Sequence, residues 1–325
     1  AQTMRQGRAK WPCKRGMCCR RHAKRKLQPM IERKTHLDGI AISLLVACCL
    51  FWGAQQVLIK ATLTELPPFF QGAVRFIGAT LLLMLWCKWR NIPLWERDGS
   101  SKAGLIAGAL FAVEFAFIYV GLQYTSASRL TIFLYTSPFW VAVLVPLWVV
   151  SEKMGKWQWL GLTLAFCGVV FALSDRLSGD QPKQWLGDAL ALAAGLAWGL
   201  TTVVIRTSGL VKLSAEKLLF YQIGVSALLM PLLSLGMGER WSFNWSGFAV
   251  VSILLQTVVG AFISYLAWMW MLGRYPATKI SGYVFLTPLF ALIFSKLWLG
   301  DAITMPLIAG LTCVAVGMLI VNRKS

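Results

Sequence analysis

The chain has 325 residues, of which 57% are hydrophobic and 14% are charged, and its formal net charge is +19. A soluble globular domain carries about 25% charged residues, so this composition excludes the soluble two-domain protein that the length alone would suggest. Of the 32 Lys and Arg residues, 12 lie within residues 1–36. Because the positive charge is concentrated in one segment, it does not indicate nucleic-acid binding, and we expect no nucleic-acid partner.

Residues 1–36 contain no apolar run, so we predict that they form a disordered basic tail. They also lack the apolar core of a cleavable secretory signal. Met30 is a second candidate start, and the sequence leaves open whether residues 1–29 are native. The cysteines of the tail match no zinc-ligand spacing. We therefore expect neither a bound metal nor a cofactor.

From Gly39 onward, ten apolar stretches of 17–25 residues follow one another with short polar breaks. Each stretch is long enough to cross about 30 Å of hydrocarbon. Their hydrophobic residues are continuous rather than alternating, which predicts membrane-spanning helices rather than the strands of a barrel. We number them spans 1 to 10, and they cover residues 39–59, 69–87, 103–122, 130–149, 157–173, 185–205, 218–236, 248–272, 280–299 and 303–321.

The Lys and Arg residues of the loops predict the orientation, because positively charged loops remain in the cytoplasm. With the N-terminus inside, the cytoplasmic segments carry 25 Lys and Arg residues and the outer segments carry 5. Without the basic tail the numbers are still 13 and 5. We therefore predict that the N- and C-termini are both cytoplasmic.

The second half of the chain repeats the first. Trp52 in span 1 and Trp198 in span 6 are each followed by glycine and, eight residues on, by a basic residue. Pro138 in span 4 and Pro288 in span 9 each follow a Ser or Thr. The offset between matched residues drifts only from 146 to 150. A repeat of this kind inside an apolar chain is typical of secondary transporters.

Each repeat contains five spans, and we place the first at residues 37–176 and the second at 177–325. Because five is an odd number, the second repeat enters the membrane from the opposite side. The fold predicted is therefore an all-α membrane protein of ten helices in two inverted five-helix repeats around a central cavity. A substrate site is expected near the midplane between the repeats, and alternating access is expected to follow from their exchange of conformations.

The order and duplication of these features resemble the drug/metabolite transporter superfamily, in its EamA-type bacterial branch. Arg75 and Phe76 in span 2 fit the same pattern, as do the acids that follow the two prolines, Glu152 and Asp301. The resemblance covers about residues 37–322. It implies a bundle around a central cavity in the bacterial inner membrane. It also implies export or exchange of small metabolites, often amino acids or amphipathic drugs.

Two other functions are weighed against a secondary transporter. A channel-like facilitator is less favoured, because no filter-like repeat or ring of charge is present. A membrane enzyme is disfavoured, because both histidines, His22 and His36, precede the first span, and no nucleophile-elbow or phosphate-loop motif occurs. We expect a small-molecule substrate and a lipid bilayer as partners, and the sequence does not decide between a monomer and a homodimer.

Pro138 and Pro288 lie in the middle of spans 4 and 9. A proline inside a helix removes one hydrogen bond and frees the carbonyl four residues earlier, here at Leu134 and Val284. Freed carbonyls at membrane depth are tolerated where they face protein or water. We interpret the prolines as kinks and hinges that shape the cavity, and packing kinks are the alternative.

Glu114 is the one carboxylate deep inside a predicted span, where a charge costs about 2.5–3.5 kcal/mol on insertion scales. Arg75 in span 2 lies at a similar depth. One hypothesis is that Glu114 faces the cavity and binds a substrate ammonium group or a coupling proton. The alternative is a structural ion pair between Glu114 and Arg75.

Aromatic and amide side chains at mid-span are the remaining candidates for substrate binding. Tryptophan usually prefers the membrane interfaces, so Trp52 and Trp198 at mid-depth are candidates for cavity lining, with helix packing as the alternative. Gln56 needs a hydrogen-bond partner in the membrane. Aromatic residues with polar groups extend this set and suit an apolar or aromatic metabolite with an ammonium group: Tyr135, Tyr265, Trp268 and Tyr283.

Overall fold

The computed structural model of the chain describes residue 34 and residues 36–96, 98–172, 183–299 and 305–321. Most of the predicted tail, residues 1–36, lies outside the described residues, and so do Asp301 and the side chain of Glu152. Two residues at the end of the tail, Lys34 and His36, are described and contact the span 8–span 9 region.

Every regular element in the described ranges is helical, which confirms the all-α prediction. Local sequence explains several ends: Asp38 caps α1 by accepting from the Ala41 amide, Pro68 opens α2, and Asn91 ends α2 in the left-handed region at φ 53°. The helices are α1 Gly39–Thr62, α2 Pro68–Arg90, α3 Ser101–Tyr124, α4 Ala127–Leu134, α5 Ser137–Trp148, α6 Lys156–Ala172, α7 Gln184–Thr207, α8 Ala215–Gly236, α9 Gly247–Leu255, a π-helix Gln256–Ser264, α10 Tyr265–Arg274, α11 Ala277–Tyr283, α12 Leu286–Leu299 and α13 Met305–Val321.

These helices form the ten predicted spans. Spans 1, 2 and 3 are α1, α2 and α3; spans 5, 6, 7 and 10 are α6, α7, α8 and α13. Span 4 combines α4 with α5, span 8 combines α9, the π-helix and α10, and span 9 combines α11 with α12. Eight of the ten have the length and hydropathy to cross a bilayer. The other two, α6 and α13, have 17 residues each, at the short end of the usual range.

Spans 4 and 9 each contain a short break beside the predicted proline. In span 4, α4 ends at Leu134 and α5 begins at Ser137, so Pro138 lies in the first turn of a new helix, where proline is tolerated. In span 9 the break falls at the corresponding place, between α11 and α12. The prediction of a freed carbonyl at Val284 is wrong, because that carbonyl accepts the Thr287 amide at 2.9 Å.

The crossing of α6 and α13 shows the two-fold relation of the repeats. A Cβ added to Gly161 would lie 2.6 Å from the Gly317 carbonyl oxygen, and a Cβ added to Gly317 would lie 2.6 Å from the Gly161 carbonyl oxygen. A Cβ added to Gly168 would lie 3.0 Å from the Gly310 carbonyl oxygen. Because Gly310 matches Gly161 and Gly317 matches Gly168, the two contacts are related by the repeat, as in an isologous interface, and a side chain at any of these places would separate the helices.

The glycines that follow Trp52 and Trp198 let spans 1 and 6 approach the broken spans. A Cβ at Gly53 would lie 2.7 Å from the Ala291 amide nitrogen in α12, and a Cβ at Gly199 would lie 2.6 Å from Trp140 Cβ in α5. Each repeat thus places its first helix against the broken helix of the other repeat. These two contacts bring Trp52 and Trp198 to the centre of the molecule.

Candidate functional site

A central cavity of about 50 Å³ lies between the two halves of the chain. That space holds only a few water molecules, so in this conformation the cavity is smaller than a metabolite. Trp52, Glu114 and Trp198 are residues 14, 14 and 15 of the 24-residue helices α1, α3 and α7, so the cavity lies at mid-length of the spans. Its walls are formed by Trp52, Gln55, Gln56, Phe111, Glu114, Phe115, Ile118, Leu134, Tyr135, Trp198, Thr201, Thr202, Ile205, Gln222, Tyr265, Trp268, Met269 and Leu272.

Five aromatic side chains form a connected cluster on the cavity wall. The Trp52 ring contacts those of Trp198, Tyr265 and Trp268, with centroids 6.2, 6.1 and 5.7 Å apart. Trp198 also contacts Tyr135 at 5.4 Å and Trp268 at 6.0 Å. Spans 1, 4, 6 and 8 supply these rings, so both repeats contribute. Such a cluster can hold an apolar body and offers π faces to a cation.

The π-helix of span 8 positions part of this cluster. Trp52 Nε1 donates to Ser264 Oγ at 2.8 Å, and Ser264 Oγ donates in turn to the Gly260 carbonyl at 2.5 Å. Ser264 is the last residue of the π-helix, and Tyr265 begins the α-helix that follows. A wide turn of this kind frequently marks a functional site. Here it fixes the Trp52 indole through Ser264 and directs Tyr265 and Trp268 to the cavity.

Glu114 supplies the one carboxylate among the lining residues. It is 5% exposed, and its Oε2 atom has no hydrogen-bond partner in the described part of the chain. The side-chain oxygens of Gln56 and Gln222, on the same wall, are also without a donor. A buried acceptor without a partner is costly. Three such acceptors around one cavity are suited to a ligand that brings hydrogen-bond donors.

Arg75 lies behind the cavity wall rather than on it. It is fully buried, and its Nη2 atom donates to Gln55 Oε1 at 3.1 Å and to the Tyr265 hydroxyl at 2.7 Å. Its guanidinium carbon also lies 5.0 Å from the centroid of the Phe115 ring. All three contacts are lining residues, so Arg75 holds side chains from spans 1, 3 and 8 together.

The direct ion pair between Arg75 and Glu114, one of the two sequence hypotheses, is not formed. Neither residue has an ion-pair partner within 4.0 Å among the described residues. Gln55 and Tyr265 accept hydrogen bonds from one guanidinium nitrogen of Arg75, Nη2, whereas its Nε and Nη1 atoms have no hydrogen-bond partner in the described part of the chain. Glu114 therefore faces the cavity without a bound cation.

The structure brings seven of the eight predicted substrate-binding residues to one wall: Trp52, Gln56, Glu114, Tyr135, Trp198, Tyr265 and Trp268. Tyr283 is buried at the end of α11 but is not among the residues that line the cavity. Pro138 and Pro288 begin α5 and α12 and do not line the cavity either.

Sequence reasoning missed several polar lining residues. Gln222 is one of them, and an amide in an otherwise apolar span is itself a signal. Thr201 and Thr202 follow Trp198 by one turn, but their hydroxyls bond back to the Ala197 and Trp198 carbonyls and gave no separate pattern.

A polar cluster closes one end of the cavity, where α3 ends and α7 begins; we call it the Arg129 end. The Arg129 guanidinium binds Asp188 through two nitrogens, at 2.8 Å from Nε and 2.8 Å from Nη2. The Thr125 hydroxyl donates to the same carboxylate at 3.3 Å. Lys60 at the end of α1 donates to the Leu122 carbonyl. These bonds link span 6 of the second repeat to spans 3 and 4 of the first.

A corresponding cluster lies where α10 ends and α1 begins; we call it the Tyr275 end. The Tyr275 hydroxyl donates to Asp38 Oδ1 at 2.9 Å, and Arg206 at the end of α7 donates to the Leu272 carbonyl at 2.8 Å. The hydrogen bonds from Lys34 and from the Ala41 amide lower the pKa of Asp38 to about 2. Leu272 and Tyr275 stand 150 residues after Leu122 and Thr125, so the two ends are built from matched positions.

Ten helices in two inverted repeats, closed at matched ends around a cavity at mid-membrane depth, define a membrane transporter and not an enzyme. The sequence matches the EamA-like transporter family twice, over residues 39–174 and 185–323. The chain therefore belongs to the EamA-like transporter family.

Similar proteins agree with this assignment. An uncharacterized transporter of Archaeoglobus fulgidus is 31% identical over 82% of this chain and 89% of its own length. A probable amino-acid metabolite efflux pump of Salmonella typhimurium is 21% identical over 87% of this chain and 94% of its own length. One crystal structure superposes with a TM-score of 0.73 at 15% identity, covering 87% of this chain and 96% of that one, which shows that the fold is shared.

Proposed function

We propose that this protein is a secondary carrier that exports or exchanges small metabolites carrying an ammonium group and an apolar or aromatic part, such as amino acids or amphipathic drugs. One observation carries the proposal: the Glu114 carboxylate lines a cavity at mid-length of the spans, without a partner on Oε2, beside a cluster of five aromatic rings. An ammonium group would pair with Glu114, and its apolar part would rest against the rings.

The charge of the wall supports a cationic group on the substrate. None of the residues that line the cavity in the described part of the chain is Lys or Arg, and the unpartnered polar atoms of Glu114, Gln56 and Gln222 are all acceptors. A free phosphate or a dicarboxylate would find no Lys or Arg among these lining residues. A substrate with an ammonium group and an apolar side chain uses both the acceptors and the rings.

Matched clusters at the two ends support alternating access. If the repeats exchange conformations, opening one end and closing the other are the same movement seen from opposite sides. With both termini cytoplasmic, as the loop charges indicate, the Arg129 end faces the outside and the Tyr275 end faces the cytoplasm of a bacterial inner membrane. The efflux pump of Salmonella typhimurium, similar over most of both chains, favours export as the physiological direction. The oligomeric state, monomer or homodimer, does not enter this scheme.

Transport by purified protein in proteoliposomes tests the proposal. Vesicles preloaded with unlabelled aromatic amino acid are expected to accumulate the labelled one by counterflow, and a mixture of amino acids and cationic drugs identifies the better substrate. Counterflow requires a carrier, because a channel equilibrates without exchange, and a chemically altered product would indicate an enzyme.

The variant Glu114→Gln keeps the shape of the site and removes its charge. We expect it to lose transport of cationic substrates by about tenfold or more, as for the loss of a buried charge-assisted contact. Gln222→Glu is the matched control, since it adds a carboxylate to the same wall. A Glu114→Gln carrier with unchanged transport would exclude the role of Glu114 in binding.

A further inference from the structure

A second concave site lies on the membrane-facing side of the protein, between α2, α8 and span 8. This groove of about 540 Å³ shares no lining residue with the central cavity, because it uses the opposite side of span 8. Seven of its eight lining residues are apolar or aromatic, and the eighth is acidic: Trp86, Ala215, Glu216, Phe262, Ile263, Leu266, Ala267 and Trp270. Ile263 is 52% exposed, so the groove opens to the hydrocarbon of the bilayer.

The groove extends from the headgroup level into the hydrocarbon. Trp86 and Trp270 each lie four residues before the end of their helix, at Arg90 and Arg274, and Ala215 is the first residue of α8. These three helix ends therefore mark one face of the membrane. Phe262 lies eight residues deeper than Trp270, about 12 Å at about 1.5 Å per residue. Its length and lining suit an acyl chain.

The shallow end of the groove carries charges of both signs. The Arg90 guanidinium carbon lies 5.6 Å from the centroid of the Trp86 ring, and that of Arg274 lies 4.6 Å from the centroid of the Trp270 ring. Within the described ranges neither arginine forms an ion pair at 4.0 Å or less, and Glu216 forms none either. Two cations and one anion thus lie at the headgroup level without an ion-pair partner among the described residues.

We propose that this groove binds an aminophospholipid of the surrounding bilayer. Its acyl chain lies along the apolar length, and its phosphate pairs with Arg90 and Arg274. Its ammonium group pairs with Glu216. The acid distinguishes this ligand from a purely anionic lipid, whose headgroup has no cation to offer Glu216. The proposal concerns the bilayer and is independent of the transported substrate.

Native mass spectrometry of the purified full chain tests this with three lipids of identical acyl chains: phosphatidylethanolamine, phosphatidylglycerol and phosphatidylcholine. We expect the ethanolamine lipid to bind about fivefold tighter than the glycerol lipid, the upper end for a single exposed ion pair. Equal occupancy by all three lipids in the wild-type protein would overturn the proposal, whatever the variants do.

Variants assign the contacts. Glu216→Gln is expected to abolish the preference for the ethanolamine lipid while leaving the glycerol lipid bound, and Arg274→Gln is expected to weaken both. Arg240→Gln, at the opposite ends of the helices, is the matched control and is expected to change neither. A preference that survives Glu216→Gln, or a loss equal in Arg240→Gln and Arg274→Gln, would contradict the assigned site.

Discussion

Spans 3 and 8 occupy matched positions in the two repeats and differ in how closely they pack against the other repeat. Span 3 is a regular helix, α3, whose Gly121 meets Gly187 of α7 at the Arg129 end. Span 8 contains the π-helix and approaches α1 at the Tyr275 end. There Met271 stands 150 residues after Gly121, and Ala41 stands 146 residues before Gly187.

The difference lies in the size of four side chains. Two glycines let the backbones of α3 and α7 touch, since a Cβ at Gly187 would lie only 3.0 Å from the Gly121 carbonyl oxygen. Met271 and Ala41 are both fully buried and keep the corresponding helices further apart. Alternating access requires that the helices pack more closely at one end of the protein than at the other. We infer that the Tyr275 end, where they pack less closely, is the first to open from this conformation.

We expect the largest effect on transport from a substitution that disrupts the contact between α3 and α7 at the Arg129 end. A Cβ at Gly187 would lie 2.8 Å from Thr125 Cβ, so Gly187→Leu separates α3 from α7. Transport is expected to fall about tenfold or more, because about 1–3 kcal/mol of strain is placed on the closed end. Counterflow in proteoliposomes measures it. Trp185→Leu, at a position 70% exposed on the same helix, is the control, and normal transport by Gly187→Leu would refute the role of this contact.

The hydrogen bonds of Arg75 and of its matched residue in span 7 provide a second comparison of the two repeats. Tyr221 stands 146 residues after Arg75 and contacts span 3 through Ser100 Oγ at 2.8 Å, as Arg75 contacts span 8 through Tyr265. Arg75→Met leaves two buried acceptors without a donor, at about 1–3 kcal/mol each. Tyr221→Phe removes one part-buried bond, worth about 1 kcal/mol.

Unfolding of both variants in detergent measures that difference. We expect the midpoint of Arg75→Met to fall well below that of Tyr221→Phe, since the first links three walls of the cavity and the second does not line it. If Tyr221→Phe were the less stable of the two, Arg75 would not be the central support of the wall.

The crossing of α6 and α13 provides a third comparison, because the two repeats contribute related glycine contacts there. Gly161→Ala and Gly317→Ala each place a Cβ 2.6 Å from a facing carbonyl oxygen, and each is expected to lower the free energy of unfolding by about 1–3 kcal/mol. The two losses are expected to be similar, because the two glycines face each other across one contact. Gly247→Ala, where nothing lies within 4 Å, is the control, and a loss at only one of the two glycines would argue against this mutual contact.

We expect the smallest effect on stability from protonation of Asp38 at the Tyr275 end in acid. The pKa of Asp38 is lowered from 3.8 to about 2, chiefly by the hydrogen bond from Lys34. A lowered carboxyl pKa stabilises the fold fully above the unfolded value, and this contribution is lost as pH falls from about 4 towards 2. Thermal unfolding between pH 5 and 2 (a range set by these two values) should therefore depend more steeply on pH in the wild type than in Asp38→Asn. Identical slopes would exclude this linkage.

The spans were predictable and the details of the site were only partly so. Continuous apolar runs set the ten spans, and the duplicated Trp and Pro positions set the inverted repeats, because both are local patterns of the sequence. The Arg75–Glu114 ion pair was predicted only from the similar depth of the two residues in the membrane. Depth does not show which neighbouring side chains form hydrogen bonds with the guanidinium. The π-helix has no signature within its nine residues, and Gln222 becomes a wall residue only through packing between spans.

The most direct test is the distance across each end, measured by electron paramagnetic resonance on matched spin-label pairs. Gln123 and Trp185 at the Arg129 end correspond to Gly273 and Gly39 at the Tyr275 end, by offsets of 150 and 146, and the eight native cysteines would first be replaced. When substrate is added, we predict that one distance lengthens as the other shortens. Two distances that rise or fall together would contradict a carrier built from exchanging inverted repeats.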